Sequence, residues 1–98
     1  METLTAIIRA KPGHEDTVAA ELAKVGAFAA AHEPDTIGFF VAQDPGDPRL
    51  FTTYERFTDA AARDRHNNGA GSQGFFAAAG HLLEDDITIV TATEIWPP

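Results

Sequence analysis

The segment TTYERFTDAAARDRH, residues 52 to 66, holds an acid and a base at positions where they could act together. Glu55 stands two residues before the end of a predicted strand, and His66 stands at the end of the short helix predicted to follow it. A carboxylate that orients an imidazole with a pKa near neutral forms the general base that proton abstraction requires. The pair therefore predicts acid–base chemistry, provided that the fold brings the two side chains together.

The rise per residue of helices and strands places these two side chains at comparable positions over a sheet. If the helix folds back over the sheet from residue 58, His66 lies about 12 Å along the helix from that turn. Glu55 lies roughly 7 to 10 Å along the strand from the same turn. If Glu55 lies on a helix-covered face, its carboxylate needs a polar or charged partner, because burying a carboxylate alone costs several kcal/mol. The alternative is that Glu55 bonds an arginine or a backbone amide, while His66 only ends its helix.

The sequence evidence for a metal or nucleotide cofactor site is weak. The four histidines are 18, 34 and 15 residues apart, whereas paired metal ligands on one helix stand three or four apart, so we expect no metal. The chain has no cysteine, which excludes thiolate catalysis and sulfur-ligated metal. The segment GAGSQG, residues 69 to 74, lacks the context of a nucleotide-binding loop. We interpret it as a flexible connector or a lid.

Length and charge limit the possible partners. The 98 residues predict one domain, residues 1–98. The net charge of -8, with seven basic residues spread over the chain, argues against binding to nucleic acid or an anionic membrane. No segment resembles a signal peptide or reaches the ~18 apolar residues of a membrane span, so we expect a soluble, cytoplasmic protein.

The elements that must position Glu55 and His66 follow from hydrophobic periodicity and turn signals. An apolar spacing of four, three and four residues predicts a helix from Glu15 to Ala31, and Thr58 or Asp59 can cap the helix that reaches His66. Ser72 can cap a further helix. Strands are predicted over residues 3–10, 36–43, 49–57 and 85–95. The order β-α-β-β-α-β, with the second crossover helix split in two, predicts an α+β, ferredoxin-like fold with a four-stranded antiparallel sheet and helices on one face.

One face of that sheet is left uncovered, yet the strands carry apolar residues on both faces. The apolar residues on opposite faces are Ile7 against Leu4 and Ile8, Phe39 against Phe40, Phe51 and Phe57 against Leu50 and Tyr54, and Ile89 against Val90. Exposed apolar surface of this kind normally marks an interface. We therefore expect a homodimer in which sheet packs on sheet across a two-fold axis.

The chain also resembles a known family, the antibiotic biosynthesis monooxygenase domain, a branch of the dimeric α+β barrel proteins. The matching segments are KPGHEDTVAAEL, HEPDTIGFFVAQDPGDPRLFTTYERFTD, AARDRH and LLEDDITIV. The resemblance implies a homodimer with a cavity between sheet and helices in each subunit. It also implies oxidation of a small phenolic, quinol-type or other aromatic ligand by dioxygen without metal, flavin or haem.

The same resemblance implies roles for individual residues. His66 becomes the base or proton shuttle and Glu55 its orienting partner, and four aromatic residues become candidate walls of the substrate site: Phe39, Phe57, Phe75 and Trp96. Haem-degrading relatives place an Asn in the first strand and a Trp in the third, where this chain has Ala6 and Phe57, so haem oxygenation is not expected. Two other functions stay open, a non-enzymatic ligand-binding dimer and a lyase or isomerase of the same superfamily.

Overall fold

Three helices and a four-stranded sheet make up the computed structural model, which describes residues 1–97. In chain order the elements are β1 (Glu2–Arg9), α1 (Glu15–His32), β2 (Thr36–Gln43), β3 (Leu50–Phe57), α2 (Ala60–Asn68), α3 (Ala70–Ala79) and β4 (Thr88–Thr93), with a short 3-10 turn at Gly80–Leu82. Both crossovers put their helices on the same face of the sheet. The predicted α+β, ferredoxin-like fold is confirmed.

The sheet has the strand order β2-β3-β1-β4, and every neighbouring pair is antiparallel. The register puts Glu55 of β3 between Leu4 of β1 and Phe39 of β2. Glu55 therefore stands on an inner strand, on the face that the helices cover. Its side chain is buried in the interior, away from water.

The first helix follows the predicted periodicity. Val18, Leu22, Val25 and Ala29 are its buried residues, and the first three belong to the hydrophobic core shared with the sheet and α3. Acidic side chains in the first turn suit the positive end of the helix dipole. The helix ends at His32, one residue later than predicted, just before the Glu33-Pro34 step, where the proline disfavours helical geometry in the residue before it.

The last strand is shorter than the predicted 85–95. β4 pairs only with β1, from Glu2 opposite Thr93 to Ile7 opposite Thr88. Beyond Ile7, the edge of the sheet at Ala10 is bridged instead to Leu83. Residues 85–87 therefore form a turn region, and the chain leaves the sheet after Thr93.

The prediction that GAGSQG forms a flexible connector or lid is wrong. Helix α3 begins at Ala70, only Gly69 separates it from α2, and Gly69 rather than Ser72 is its N-terminal cap. A Cβ added to Gly71 would lie 2.8 Å from Cδ1 of Phe28, so the glycine allows α3 to lie close against α1. A glycine-rich sequence looks the same whether its glycines serve flexibility or close packing.

The core lies between the sheet and the helices, while the other face of the sheet is open. Phe51, Phe57 and Val18 are the largest fully buried side chains. On the open face, apolar side chains are exposed at one position of each strand: Ile7, Phe40, Tyr54 and Val90. Over residues 1–97, the structure contains no helix with the length and apolar character needed to span a membrane.

Candidate active site

Glu55 and His66 meet in the interior of the protein. Oε1 of Glu55 lies 3.0 Å from Nε2 of His66, and the two side chains are 6% and 3% exposed. An arginine or a backbone amide does not take the place of His66 beside this carboxylate. The acid and the base noted in the sequence thus form one buried ion pair.

Local structure explains how His66 reaches the carboxylate. Asp59 caps α2 by accepting a 2.8 Å hydrogen bond from the amide of Ala62, which starts the helix directly after β3. The helix folds back over the sheet, and His66 lies on its buried face near the C-terminal end. The rings of Phe57 and Phe39 lie 5.3 and 5.7 Å from the imidazole, measured between centroids, and shield it from water.

A second carboxylate holds the other side of the imidazole. Oε1 of Glu33 lies 2.6 Å from Nδ1 of His66, and it also accepts a 3.0 Å hydrogen bond from the hydroxyl of Thr36. Glu33 stands in the short connection between α1 and β2. Sequence reasoning missed it, because no periodicity assigns a connection residue to a side chain that is distant in the chain. The one available signal was the Glu33-Pro34 step, which fixes where the helix stops.

The carboxylate of Glu55 is fixed at both oxygens. Oε1 contacts His66, and Oε2 accepts a 2.6 Å hydrogen bond from the hydroxyl of Thr53 on the same face of β3. Both nitrogens of His66 are occupied by carboxylates. A carboxylate has about four acceptor positions, so Glu55 keeps capacity to accept a further hydrogen bond, whereas the imidazole has none left.

The two carboxylates determine the charge of the imidazole. Burial lowers the pKa of His66, but hydrogen bonds and charges from Glu55 and Glu33 raise it, and the net result is a pKa above the ordinary 6.5. Both ring nitrogens face carboxylate oxygens, which accept hydrogen bonds, so the contacts favour the imidazolium form with one N–H donated to each carboxylate. This is an ion pair of three groups, two anions around one cation.

A cavity of about 140 Å³ lies next to this group, between the sheet and the helices. Its walls are mainly apolar, and Thr53, Glu55 and His66 supply polar groups on one side. An apolar cavity of ~150 Å³ is large enough to hold benzene. The space therefore suits a ligand with one six-membered ring, placed against the carboxylate of Glu55.

The four aromatic residues predicted as walls do not all reach this cavity. Phe39 and Phe75 line it. Phe57 is fully buried against the imidazole and does not line the cavity. Trp96 is 80% exposed beyond the end of β4, because the chain has left the sheet before it. Within one chain, Trp96 has no contact with the cavity.

Comparison with known proteins gives the family. The family model for antibiotic biosynthesis monooxygenase matches residues 1–78, a range that contains Glu33, Glu55 and His66. The chain belongs to the antibiotic biosynthesis monooxygenase family. The resemblance noted in the sequence is thereby confirmed.

Solved structures share the fold of this chain. A Pseudomonas aeruginosa protein is 30% identical, with a TM-score of 0.84 over 96% of this chain and 93% of that one. A Nitrosomonas europaea protein of unknown function is 28% identical, with a TM-score of 0.85 over 99% and 91% of the two chains. An antibiotic biosynthesis monooxygenase, 22% identical with a TM-score of 0.86 over 97% and 99%, shares the fold. Among curated proteins, the search found no match.

Proposed function

We propose that this member of the antibiotic biosynthesis monooxygenase family oxidises a single-ring phenol or quinol with dioxygen, without a cofactor. The observation that carries this function is the buried contact between Glu55 and His66 at the wall of an apolar cavity. A buried acid–base pair beside a space for one aromatic ring is what removal of a phenolic proton requires.

In this reaction Glu55 is the base that receives the phenolic proton. Its carboxylate has spare acceptor capacity beside the cavity, whereas both nitrogens of His66 are already engaged. His66 orients Glu55 by donating the proton on Nε2 to Oε1 of the carboxylate, at a distance of 3.0 Å. The geometry thus favours exchanging the roles that the family resemblance implied, in which His66 was the base and Glu55 its orienting partner.

The phenolate then supplies the electrons that dioxygen needs. For a phenol with a hydrogen on the reacting ring carbon, one oxygen atom is added to that carbon and the other leaves as water. The ring becomes a quinone, so four electrons pass from the substrate to dioxygen and the atoms balance. The apolar walls formed by residues such as Phe39 and Phe75 keep water away from the anion.

Oxygen uptake with a panel of single-ring phenols and hydroquinones tests this function. Turnover by Glu55→Gln should fall at least ~100-fold, the usual scale of a general-base effect. Turnover by His66→Gln should also fall, because Glu55 then lacks its imidazolium partner. Glu21→Gln is the matched control, since Glu21 pairs with Lys24 on the surface of α1 at 2.8 Å. Turnover that is unchanged in both site variants would remove the pair from the mechanism.

A non-enzymatic ligand-binding role is the second candidate, and one observation favours it. Both nitrogens of His66 and both oxygens of Glu55 are already partnered in the folded chain, as they would be in a purely structural ion pair. A phenol that binds without turning over, with or without air, would support this role. Turnover under anaerobic conditions would instead indicate a lyase or an isomerase.

We also propose that the protein is a homodimer joined through the open face of the sheet. That face exposes Ile7, Phe40, Tyr54 and Val90. Among the described residues its strand positions include no acid, although the whole chain has a net charge of -8. Its arginines, Arg9 and Arg56, are each neutralised by a carboxylate within 2.8 Å. A second copy can therefore approach this face without the repulsion that the rest of the surface would exert.

A further inference from the structure

Glu33 links the buried imidazole to the surface of the protein. The side chain of Glu33 is 15% exposed, compared with 3% for His66 and 6% for Glu55. Glu33 also borders a surface recess on the side of His66 that faces away from the cavity. The three groups therefore form a line that runs from the cavity, through Glu55 and His66, to a carboxylate in contact with solvent.

We propose that Glu33 is the positioning residue through which His66 exchanges protons with solvent when Glu55 accepts a proton from a bound phenol. The distances of 3.0 Å at Nε2 and 2.6 Å at Nδ1 allow direct transfer at both nitrogens. The inference rests on the proposed function, because it assigns a route to the proton which that reaction releases.

The protons balance without any rotation of the imidazole. At rest, Glu55 and Glu33 are carboxylates and His66 carries a proton on each nitrogen. When the phenolic proton moves to Glu55, His66 loses the negative charge that held its own proton. The imidazolium then passes the proton on Nδ1 to Glu33, and Glu33 releases it to solvent. One proton leaves the phenol, one appears in solution, and the neutral imidazole keeps its proton on Nε2.

The other charged groups near His66 do not offer a competing route. Arg65 from the same helix and Asp35 lie at the recess, but they pair with each other at 3.0 Å. His32 lines the recess and packs against Phe28, with 4.8 Å between the ring centroids. Thr36 donates to Glu33 and so holds the carboxylate toward Nδ1. From the sheet side, Glu55 is the titratable group in contact with the imidazole.

Stopped-flow mixing with 4-nitrophenol tests this route, since its phenolate absorbs visible light. The phenolate band reports transfer to Glu55, and a pH-indicator dye in weak buffer reports release into solvent. In the wild-type protein both signals should rise together. In Glu33→Gln the dye signal should lag behind the phenolate band by roughly 10- to 100-fold in rate. Asp35→Asn, which changes a carboxylate of the same recess that does not touch His66, should behave as wild type.

A purely structural role of Glu33 would change stability without separating the two signals. If Glu33→Gln folds poorly, Thr36→Val serves instead, because it leaves the carboxylate in place but removes its hydroxyl donor. In Thr36→Val the lag of the dye signal should be smaller than in Glu33→Gln. The proton on Nδ1 of His66 should exchange with solvent faster than in the wild type, as measured by NMR. Signals that rise together in Glu33→Gln, or in Thr36→Val where it is the variant used, overturn the route.

Oxygen uptake measured on the same samples separates this route from the function on which it rests. A phenolate that forms and releases its proton through Glu33, but consumes no oxygen, overturns the oxygenase and keeps the route. Normal oxygen uptake without any lag in Glu33→Gln keeps the oxygenase and overturns the route. A wild-type protein that binds 4-nitrophenol without a phenolate band overturns the transfer to Glu55 and the route together.

Discussion

Oε1 of Glu55 and Nε2 of His66 lie 3.0 Å apart in the interior, so each group provides the charge that the other needs in order to stay ionised there. Neither residue has water to replace a lost partner, because both side chains are almost fully buried. Their relationship therefore affects the stability of the fold as much as any reaction in the cavity. The first two predictions concern stability for this reason.

Removing His66 alone should strongly destabilise the protein. His66→Ala leaves the carboxylate of Glu55 buried without its cation, a change that typically costs about 3 to 5 kcal/mol. Urea unfolding followed by circular dichroism measures the loss. The double variant Glu55→Leu with His66→Leu should recover most of it, because apolar side chains of similar volume can replace a buried ion pair. A loss under ~1 kcal/mol in His66→Ala would contradict a charged pair.

Stability should fall as pH rises above neutrality. The pKa of His66 is raised in the folded protein above the 6.5 expected in the unfolded chain. The stabilisation is thus fully present below about 6.5 and is lost as pH rises through the folded-state pKa. The urea midpoint of the wild type should therefore decrease as the pH rises above about 6.5.

Two histidine variants serve as controls for this pH dependence. His66→Gln should flatten the curve, whereas His14→Gln should leave it unchanged, since His14 is exposed at the start of α1. A midpoint that rises over the same range in the wild type would mean that the neutral imidazole is the preferred form. That result would also reverse the roles proposed for the pair.

Two glycines of α3 should respond in opposite directions to the same substitution. Gly71→Ala should cost about 1 to 3 kcal/mol, because its Cβ would lie 2.8 Å from the ring of Phe28 and would push the helices apart. Gly74→Ala meets nothing within 4 Å and should stabilise the helix by about 0.5 to 1 kcal/mol. Thermal unfolding of the two variants checks both signs. Equal and small effects would mean that α3 does not lie as close to α1 as described.

A charge placed on the open face should dissociate the proposed dimer. Tyr54 is 41% exposed on an inner strand of that face. Tyr54→Asp should therefore change the sedimentation of the protein from a dimer to a monomer. Ala77 is an exposed residue of α3, on the side of the sheet opposite the open face. Ala77→Asp should therefore leave the dimer intact. A wild-type protein that sediments as a monomer, or an equal effect of both variants, would rule out this interface.

Local sequence patterns were enough to predict most of the fold. The spacing of Val18, Leu22 and Val25 identified α1. Strand alternation put Glu55 on the same face as Phe51 and Phe57, and the structure shows that the helices cover this face. Simple rises allowed the partnership with His66, because α2 starts immediately after β3, but they left open the alternative that the two residues do not pair. These features depend on residues near each other in the chain.

Features that depend on distant packing could not be predicted in the same way. Glu33 reaches His66 only because the connection after α1 and the buried face of α2 border the same surface recess, which no local pattern encodes. Gly71 suggested flexibility, yet its role is set by Phe28 on another helix. Trp96 was expected at the cavity. However, β4 ends at Thr93, opposite Glu2 of β1, so the chain has left the sheet before Trp96.

The hydroxyl of Ser72 donates a 2.9 Å hydrogen bond to the backbone carbonyl of His66, and this contact ties the first turn of α3 to the last turn of α2. The same α3 carries Phe75, a wall of the cavity. A ligand that displaces α3 outward should therefore also displace the backbone of His66. The distance between Nε2 of His66 and Oε1 of Glu55 would then increase. We therefore expect a ring too wide for the cavity to weaken the contact between His66 and Glu55.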